Sequence, residues 1–348
     1  MAPSDPRPFD VEYIENPSQS ELRDLAMEHT PCVQRTAVGS INKVTRNKAR
    51  MAKYTYIIDT QDRWSHQIID PAKARELIDR QAKYIADKGK LIAIDGYSGL
   101  GTGAFGTTWL YTLEGANIAG MQQILAFPRS AVESEAELKQ AFKPTFRLFY
   151  TPDLFLEDMP GRQAIIVDME NWTTHVMGAD YFGESKKGVL RMLNHYVYNK
   201  GGLVLHAGAK AVTYKSGDKV TMTIMGLSGT GKTTTTFSKQ GDLTEPIQDD
   251  MVSLWPHGAL SITENGCFAK TDGLSLETEP VLYEATIGPD AWVENVFLEA
   301  DGTFHFTKGA LSIDDVKRLR DILIGTGANQ VNVDKYISGE VKIDDVVD

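Results

Sequence analysis

Gly226-Leu227-Ser228-Gly229-Thr230-Gly231-Lys232-Thr233 is a complete Gly-x-x-x-x-Gly-Lys-Thr phosphate loop. Its glycines let successive backbone N–H groups turn inward and cradle phosphate oxygens. Lys232 reaches the β- and γ-phosphates, and Thr233 offers its hydroxyl to a divalent ion. The flanking sequence agrees. Lys219-Val-Thr-Met-Thr-Ile-Met225 alternates like a strand and runs directly into the loop. The following helix is less clearly written, because Thr233 to Thr236 is a β-branched run of low helix propensity. Downstream, Asp249-Asp250 supplies carboxylates at the end of a strand-like run, the usual second holder of a nucleotide-bound metal. Away from a phosphate loop, such a pair reads as a solvated turn.

The 348 residues suffice for one large or two ordinary domains, and 42% apolar with 24% charged residues describes an ordinary globular chain. The net charge of −11 argues against broad binding to nucleic acid or anionic membranes. An anionic nucleotide therefore needs a local basic pocket. Cys32 and Cys267 form no metal-site spacing and no disulfide framework, which points to a reducing, cytoplasmic location. The first residues, MAPSDPRPFDVEY, lack the apolar core of a secretory signal, and no apolar run is long enough to span a bilayer.

Residues 1–20, rich in Pro, Ser and Asp, read as a flexible lead-in. Asp70, Pro71 and Gly89 bracket a helix over 71–88 with Leu77, Ile78 and Ile85 near one face. A buried strand over 91–95 follows. Gly101-Thr-Gly103-Ala-Phe-Gly106 matches a dinucleotide fingerprint, but no helical pattern opens within it, and a mobile glycine-rich surface loop is the better reading. Strand-like runs occur at 146–150 and 164–168, and a helix is expected over 186–199. Leu203 to His206 reads as a short buried strand with His206 at its end. Residues 251–306 alternate short β patterns with turns, in an antiparallel manner. Ser312, Asp315 and Gly325 bracket an amphipathic helix over 312–324.

Taken in order, several segments resemble the ATP-type phosphoenolpyruvate carboxykinase family, from about residue 45 to about residue 300. Tyr181-Phe-Gly-Glu184-Ser-Lys186-Lys187-Gly is similar to its Tyr-Gly-Gly-Glu-Met-Lys-Lys-Gly block. Leu205-His206-Ala-Gly-Ala resembles Met-His-Cys-Ser-Ala, and the phosphate loop matches residue for residue. Gln248-Asp249-Asp250 falls at Gly-Asp-Asp, and Gly266-Cys267-Phe-Ala-Lys270 resembles Gly-Cys-Tyr-Ala-Lys. Leu274 to Pro280 and Glu294-Asn-Val296 follow in the family's order. Near the start, Arg50-Met-Ala-Lys53-Tyr-Thr-Tyr56 resembles Arg-Ser-Pro-Lys-Asp-Lys-Tyr.

The resemblance implies an α/β fold with an N-terminal α/β substrate-side domain over 21–200. Residues 201–348 would form a phosphate-loop nucleotide- and metal-binding domain with a mixed sheet and a short helical tail. It implies ATP and ADP, Mg²⁺ and Mn²⁺ as cofactors and a small acid, oxaloacetate, as substrate. The β-keto acid would lose CO₂ and the resulting enolate would take the γ-phosphoryl group. Lys187, His206 and Asp250 would hold the Mn²⁺ and Thr233 the nucleotide's Mg²⁺, with Asp249 beside the nucleotide. A lysine ligand requires a strongly lowered pKa. Lys232 and Lys270 would neutralise phosphate charge, Glu279 would accept from the ribose, and Arg50 and Tyr181 would hold the substrate carboxylate. Read alone, Lys186-Lys187 is a solvated pair, His206 a core histidine, Lys270 a surface lysine and Glu279-Pro280 a turn.

The chain also departs from that pattern. The family continues beyond its Glu-Asn-Val block, with a substrate arginine in an Asn-Thr-Arg block and a region that packs on the adenine. Neither is visible here, so the chain reads as a shortened member, and Arg318 or Arg320 lacks the context to replace that arginine. Phe182 stands in place of a glycine, and the block around His206 is altered at Ala209. Two other readings stay open: a kinase with the same core acting on another small molecule or a protein, and a nucleotide-binding subunit whose site is completed by a partner chain or a second copy.

Overall fold

The structure, a computed structural model, describes residues 6–47, 52–64, 67–226, 231–237, 243–299, 301–309, 320, 321, 324 and 330–337. The first third holds strand β1 (Glu12–Glu15), helix α1 (Gln19–His29), strands β2 (Val33–Arg35), β3 (Ile41–Lys43), β4 (Thr55–Ile58) and β5 (Gln67–Ile69), and helix α2 (Pro71–Lys88). Next come β6 (Lys90–Ser98), β7 (Phe105–Tyr111), α3 (Ala116–Leu125), β8 (Phe127–Pro128) and α4 (Glu135–Leu138). Strands β9 (Phe146–Thr151), β10 (Ala164–Asp168) and β11 (Thr173–Met177) precede α5 (Phe182–Asn199). The remainder carries β12 (Leu203–Thr213), β13 (Lys219–Met225), α6 (Lys232–Phe237), β14 (Thr244–Gln248), β15 (Met251–Leu254) and β16 (Leu260–Ile262). It ends with α7 (Pro280–Thr286), β17 (Trp292–Glu294), β18 (Val296–Leu298), β19 (Phe304–Gly309) and α8 (Gln330–Ile337).

Alternation along the central strands builds three layers. Ile92 and Ile94 of β6 and Leu148 and Tyr150 of β9 point to one face, where Leu22 of α1, Ala119 of α3 and Val189 and Leu193 of α5 cover them. Leu91, Ala93 and Phe149 point to the other face and pack with Ile85 of α2. Helix α2 has the bounds that Asp70, Pro71 and Gly89 imply. The Asp70 carboxylate accepts from the N–H groups of Ala72 and Lys73, and Gly89 closes the helix at φ 70°. The nine-stranded mixed sheet runs β1-β6-β7-β9-β11-β10-β4-β5, with β8 added on β6. A five-stranded antiparallel sheet follows, β13-β12-β15-β16, with β14 also on β12.

Several expectations are corrected. Residues 6–20 are not a loose lead-in. Strand β1 lies parallel to β6 and covers its edge, Arg7 Nη2 sits 2.8 Å from Asp95 Oδ2, and Ser18 caps α1 in a capping box with Glu21. The Gly101–Gly106 segment is not a mobile loop. A Cβ on buried Gly103 would stand 2.6 Å from Ser261 Cβ, and one on Gly99 would stand 2.8 Å from the Ile262 carbonyl oxygen. The glycines admit β16 of the second sheet. The short strand expected at 203–206 is the first part of the eleven-residue β12, and its leading Leu203 is exposed. Helix α5 begins at Phe182, a turn earlier than its apolar spacing suggests.

The region 251–306 is only partly antiparallel. It contains helix α7, and β17 pairs parallel with β3 in a sheet ordered β17-β3-β2. Residues 292–294 are thereby built into the part of the chain expected as a separate unit at 21–200. Most of the helix expected at 312–324, including Ser312, Asp315 and Arg318, lies outside the described residues. Among the described residues no helix is long and apolar enough to cross a membrane.

Candidate active site

Three elements converge on the Asp249-Asp250 pair. Strands β14 and β15 both hydrogen-bond to β12, so the two-residue link between them lies against that strand. His206 pairs with Met251 in the register of β12 and β15, which sets its imidazole beside Asp250. Helix α5 delivers Lys186 and Lys187. No side chain of its own caps it; the Phe182 N–H donates instead to Glu294 Oε1 of β17 at 3.1 Å. Helix α6 starts at Lys232 and lies tightly on β12, where a Cβ on Gly208 would fall 2.0 Å from Thr236 Oγ1.

The distances define two linked clusters. In the first, Lys187 Nζ is 2.7 Å from Asp250 Oδ2 and His206 Nε2 is 3.1 Å from Asp250 Oδ1. In the second, Lys232 Nζ donates to the Asp249 carbonyl at 2.7 Å and Thr233 Oγ1 donates to Asp249 Oδ2 at 2.8 Å. Thr234 Oγ1 donates to Glu279 Oε1 at 3.0 Å. Both clusters line one cavity of about 1750 Å³, together with Gly226, Gly231, Tyr181 and Lys270. Arg50, Leu227, Ser228, Gly229 and Thr230 lie outside the described residues. Arg320 is not among the residues that line the cavity; it is bound to Asp334 at 2.7 Å.

The electrostatics suit a cation. Burial pulls the Lys187 ammonium below the ordinary lysine range, against the opposing charge of Asp250. Burial works against the Asp250 carboxylate, but Lys186 and Lys187 outweigh it and hold the acid well below the ordinary carboxyl range. Burial, with Glu294 and Glu184 adding, pushes the Tyr181 hydroxyl up to about 12, so it stays a neutral donor. Asp249 Oδ1 is buried without a hydrogen-bond partner, and Lys232 Nζ stands 3.6 Å from it. An amine of lowered basicity, an imidazole and a carboxylate form a nitrogen-rich donor set that suits a transition ion. Thr233 with the Asp249 oxygen that lacks a hydrogen bond forms an all-oxygen pair that suits Mg²⁺. Among the described residues no group of three His, Cys, Asp or Glu gathers as a metal site, so the first set depends on its lysine.

A model of a family described as phosphoenolpyruvate carboxykinase matches residues 11–314. The chain belongs to the ATP-type phosphoenolpyruvate carboxykinase family. Similar proteins include the phosphoenolpyruvate carboxykinase (ATP) of Mesorhizobium japonicum, 35% identical over 175 residues, which are 47% of this chain and 31% of that protein. The protein of that name from Aeropyrum pernix is 36% identical over 171 residues, 46% of this chain and 34% of its own length. The one from Geobacillus kaustophilus is 28% identical over 269 residues, 74% of this chain and 48% of its own length. The chain thus spans between about a third and a half of these carboxykinases.

Sequence reasoning missed several residues around the site. Lys186 is almost wholly buried between Asp250 Oδ2 at 2.8 Å and Glu264 Oε2 at 2.9 Å. Glu264 had no sequence signal at all. Asp180, buried beside Tyr181, accepts from the backbone N–H groups of Arg46 and Asn47, and Asn295 Oδ1 accepts from the Thr45 N–H at 2.9 Å. The adjacency of Asp180 to Tyr181 and of Asn295 to Glu294 was the available clue.

Proposed function

We propose that the chain converts oxaloacetate and ATP into phosphoenolpyruvate, ADP and carbon dioxide. The carrying observation is that the adjacent Asp249 and Asp250 join a phosphate-loop lysine and threonine to a lysine–histidine–carboxylate cluster within one cavity. Family membership and the shared name of the relatives support this reading. In the reaction, the bond from C3 of the acid to its outer carboxylate breaks and CO₂ leaves. The electron pair moves onto the C2 oxygen, which attacks the γ-phosphorus as the bond to ADP breaks.

Lys187, His206 and Asp250 would hold a Mn²⁺, and Thr233 with Asp249 a Mg²⁺ beside the nucleotide. When bound, these ions neutralise charge on the oxygens of the acid and the phosphates. Lys232 exchanges the Asp249 carbonyl for a phosphate oxygen, and Lys270 adds a second positive charge from the cavity wall. Tyr181, held neutral, donates to the substrate carboxylate, with Arg50 as its partner in that task. Glu279 exchanges Thr234 for a ribose hydroxyl. The two cysteines, Cys32 and Cys267, are free, which supports a cytoplasmic setting.

The test is mass-spectrometric product analysis of the pure chain with oxaloacetate, ATP, Mn²⁺ and Mg²⁺, beside Lys232→Ala. Phosphoenolpyruvate and ADP are expected from the wild type only. ATP consumed with no phosphoenolpyruvate would overturn the reading in favour of another acceptor. ATP left intact until a second polypeptide is added would favour a partner-dependent site.

A further inference from the structure

The Asp249-Asp250 link is braced from behind by side chains that the proposed reaction does not use. Lys186 is 4% exposed and Glu264 7% exposed, and the two meet at 2.9 Å. Gln248, also buried, donates from Nε2 to Thr263 Oγ1 at 2.9 Å and lies 3.3 Å from Glu264 Oε2. Its Oε1 accepts from the Thr263 N–H at 2.7 Å, and Thr263 Oγ1 donates to the Met251 carbonyl at 2.8 Å. This network joins the last residue of β14, the first of β15 and the two residues after β16. It reaches the cavity through Lys186, whose ammonium takes Asp250 Oδ2 and leaves Oδ1 turned to His206.

We propose that Glu264 is a positioning residue for the divalent-cation site, acting through Lys186 to fix the orientation of the Asp250 carboxylate. This rests on the cation-site reading above. A lysine side chain has four rotatable bonds, and a single carboxylate partner leaves it free to swing toward solvent. Glu264 is the second anchor that holds it. A buried ion pair is a poor source of stability, because desolvation offsets the attraction, so orientation is the better account of its presence. Outer-shell partners of metal ligands typically alter metal affinity tenfold to a hundredfold.

The experiment measures Mn²⁺ binding to the full chain without nucleotide, by the loss of the free-ion electron paramagnetic resonance signal. Wild type, Asp250→Asn, Glu264→Gln and the double variant Lys186→Met/Glu264→Gln are compared, and metal-free ATP affinity is read in parallel. Glu264→Gln is expected to weaken Mn²⁺ by about tenfold or more while ATP affinity without metal stays unchanged. The double variant removes both members of the buried ion pair, so it is expected to fold even if the single variant does not, and it too is expected to bind Mn²⁺ weakly. Wild-type Mn²⁺ affinity in the double variant, or in a folded Glu264→Gln, overturns the positioning role alone. Wild-type binding that Asp250→Asn leaves intact overturns the cation site itself, and the role of Glu264 with it.

Discussion

His206 Nε2 lies 3.1 Å from Asp250 Oδ1, and the two side chains differ threefold in exposure, 66% against 21%. The imidazole stands open to the cavity, while the carboxylate is held by two lysines, Lys186 and Lys187. Equivalent losses at the two positions therefore have different consequences.

His206→Ala is expected to weaken Mn²⁺ binding by at least about tenfold and to change stability by no more than about 0.5 kcal/mol, as exposed positions do. Calorimetric Mn²⁺ titration and urea unfolding check the two halves. Unchanged Mn²⁺ affinity removes His206 from the cation site.

Asp250→Asn leaves Lys186 and Lys187 with the single carboxylate of Glu264. Unfolding free energy is expected to fall by about 2–3 kcal/mol, below the fully buried range because Asp250 is partly open to water. Added Mn²⁺ raises the wild-type melting temperature by mass action and does not raise that of the variant. Equal shifts in both proteins count against Asp250 as a ligand.

Gly208→Ala inserts a methyl group into the contact between β12 and α6, where Thr236 Oγ1 would be 2.0 Å away. Overpacking of this kind costs about 1–3 kcal/mol. Helix α6 also carries Lys232, so ATP affinity falls with stability. Thr236→Ala in the same chain relieves the closest clash and recovers part of both losses. A Gly208→Ala protein as stable as wild type refutes the packing account.

The buried His175 of β11 stacks on Phe149 at 5.1 Å, with its Nδ1 2.8 Å from Gln81 Oε1. Burial lowers its pKa from 6.5 to about 4, with Asp168 opposing and Arg147 assisting. The folded protein thus resists protonation that the unfolded chain accepts. This contribution is complete above pH 6.5 and is lost as pH falls toward 4, an effect on the order of 3 kcal/mol. His175→Gln is expected to flatten that part of the stability curve in urea unfolding at stepped pH. Parallel curves for the two proteins would exclude His175 as the source.

Where local chemistry suffices, the sequence was readable. Asp70, Pro71 and Gly89 write both ends of α2 in three residues, and glycine spacing writes the phosphate loop. Strand β12 runs past the 203–206 that its apolar residues mark, although Ala207-Gly-Ala has little strand propensity of its own. It persists because β13 and β14 take over as its partners where β15 leaves off. Strand β1, four residues long, owes its existence to the edge of β6, which no local pattern reveals.

In the site, the same division holds. Lys232, Thr233 and Asp249 announce themselves by motif. Lys186 looks like a solvated neighbour of Lys187 until the early start of α5 and the position of Glu264 place it between two carboxylates. That start depends on Glu294, more than a hundred residues downstream. Contacts of such separation leave no periodic trace in the chain.

The parallel pairing of β17 with β3 also fixes an order of events during synthesis. Ile41 meets Trp292, and Thr45 meets Asn295, across 250 residues. At ribosomal speeds that interval is about 10–50 s. Throughout it the β2–β3 hairpin lacks its third strand, Phe182 lacks Glu294, and the surface of α3 at Gly120 stands open where the Trp292 ring will lie. The nascent chain can therefore complete its large sheet early, yet the wall that carries Tyr181 closes only after the phosphate loop has been made.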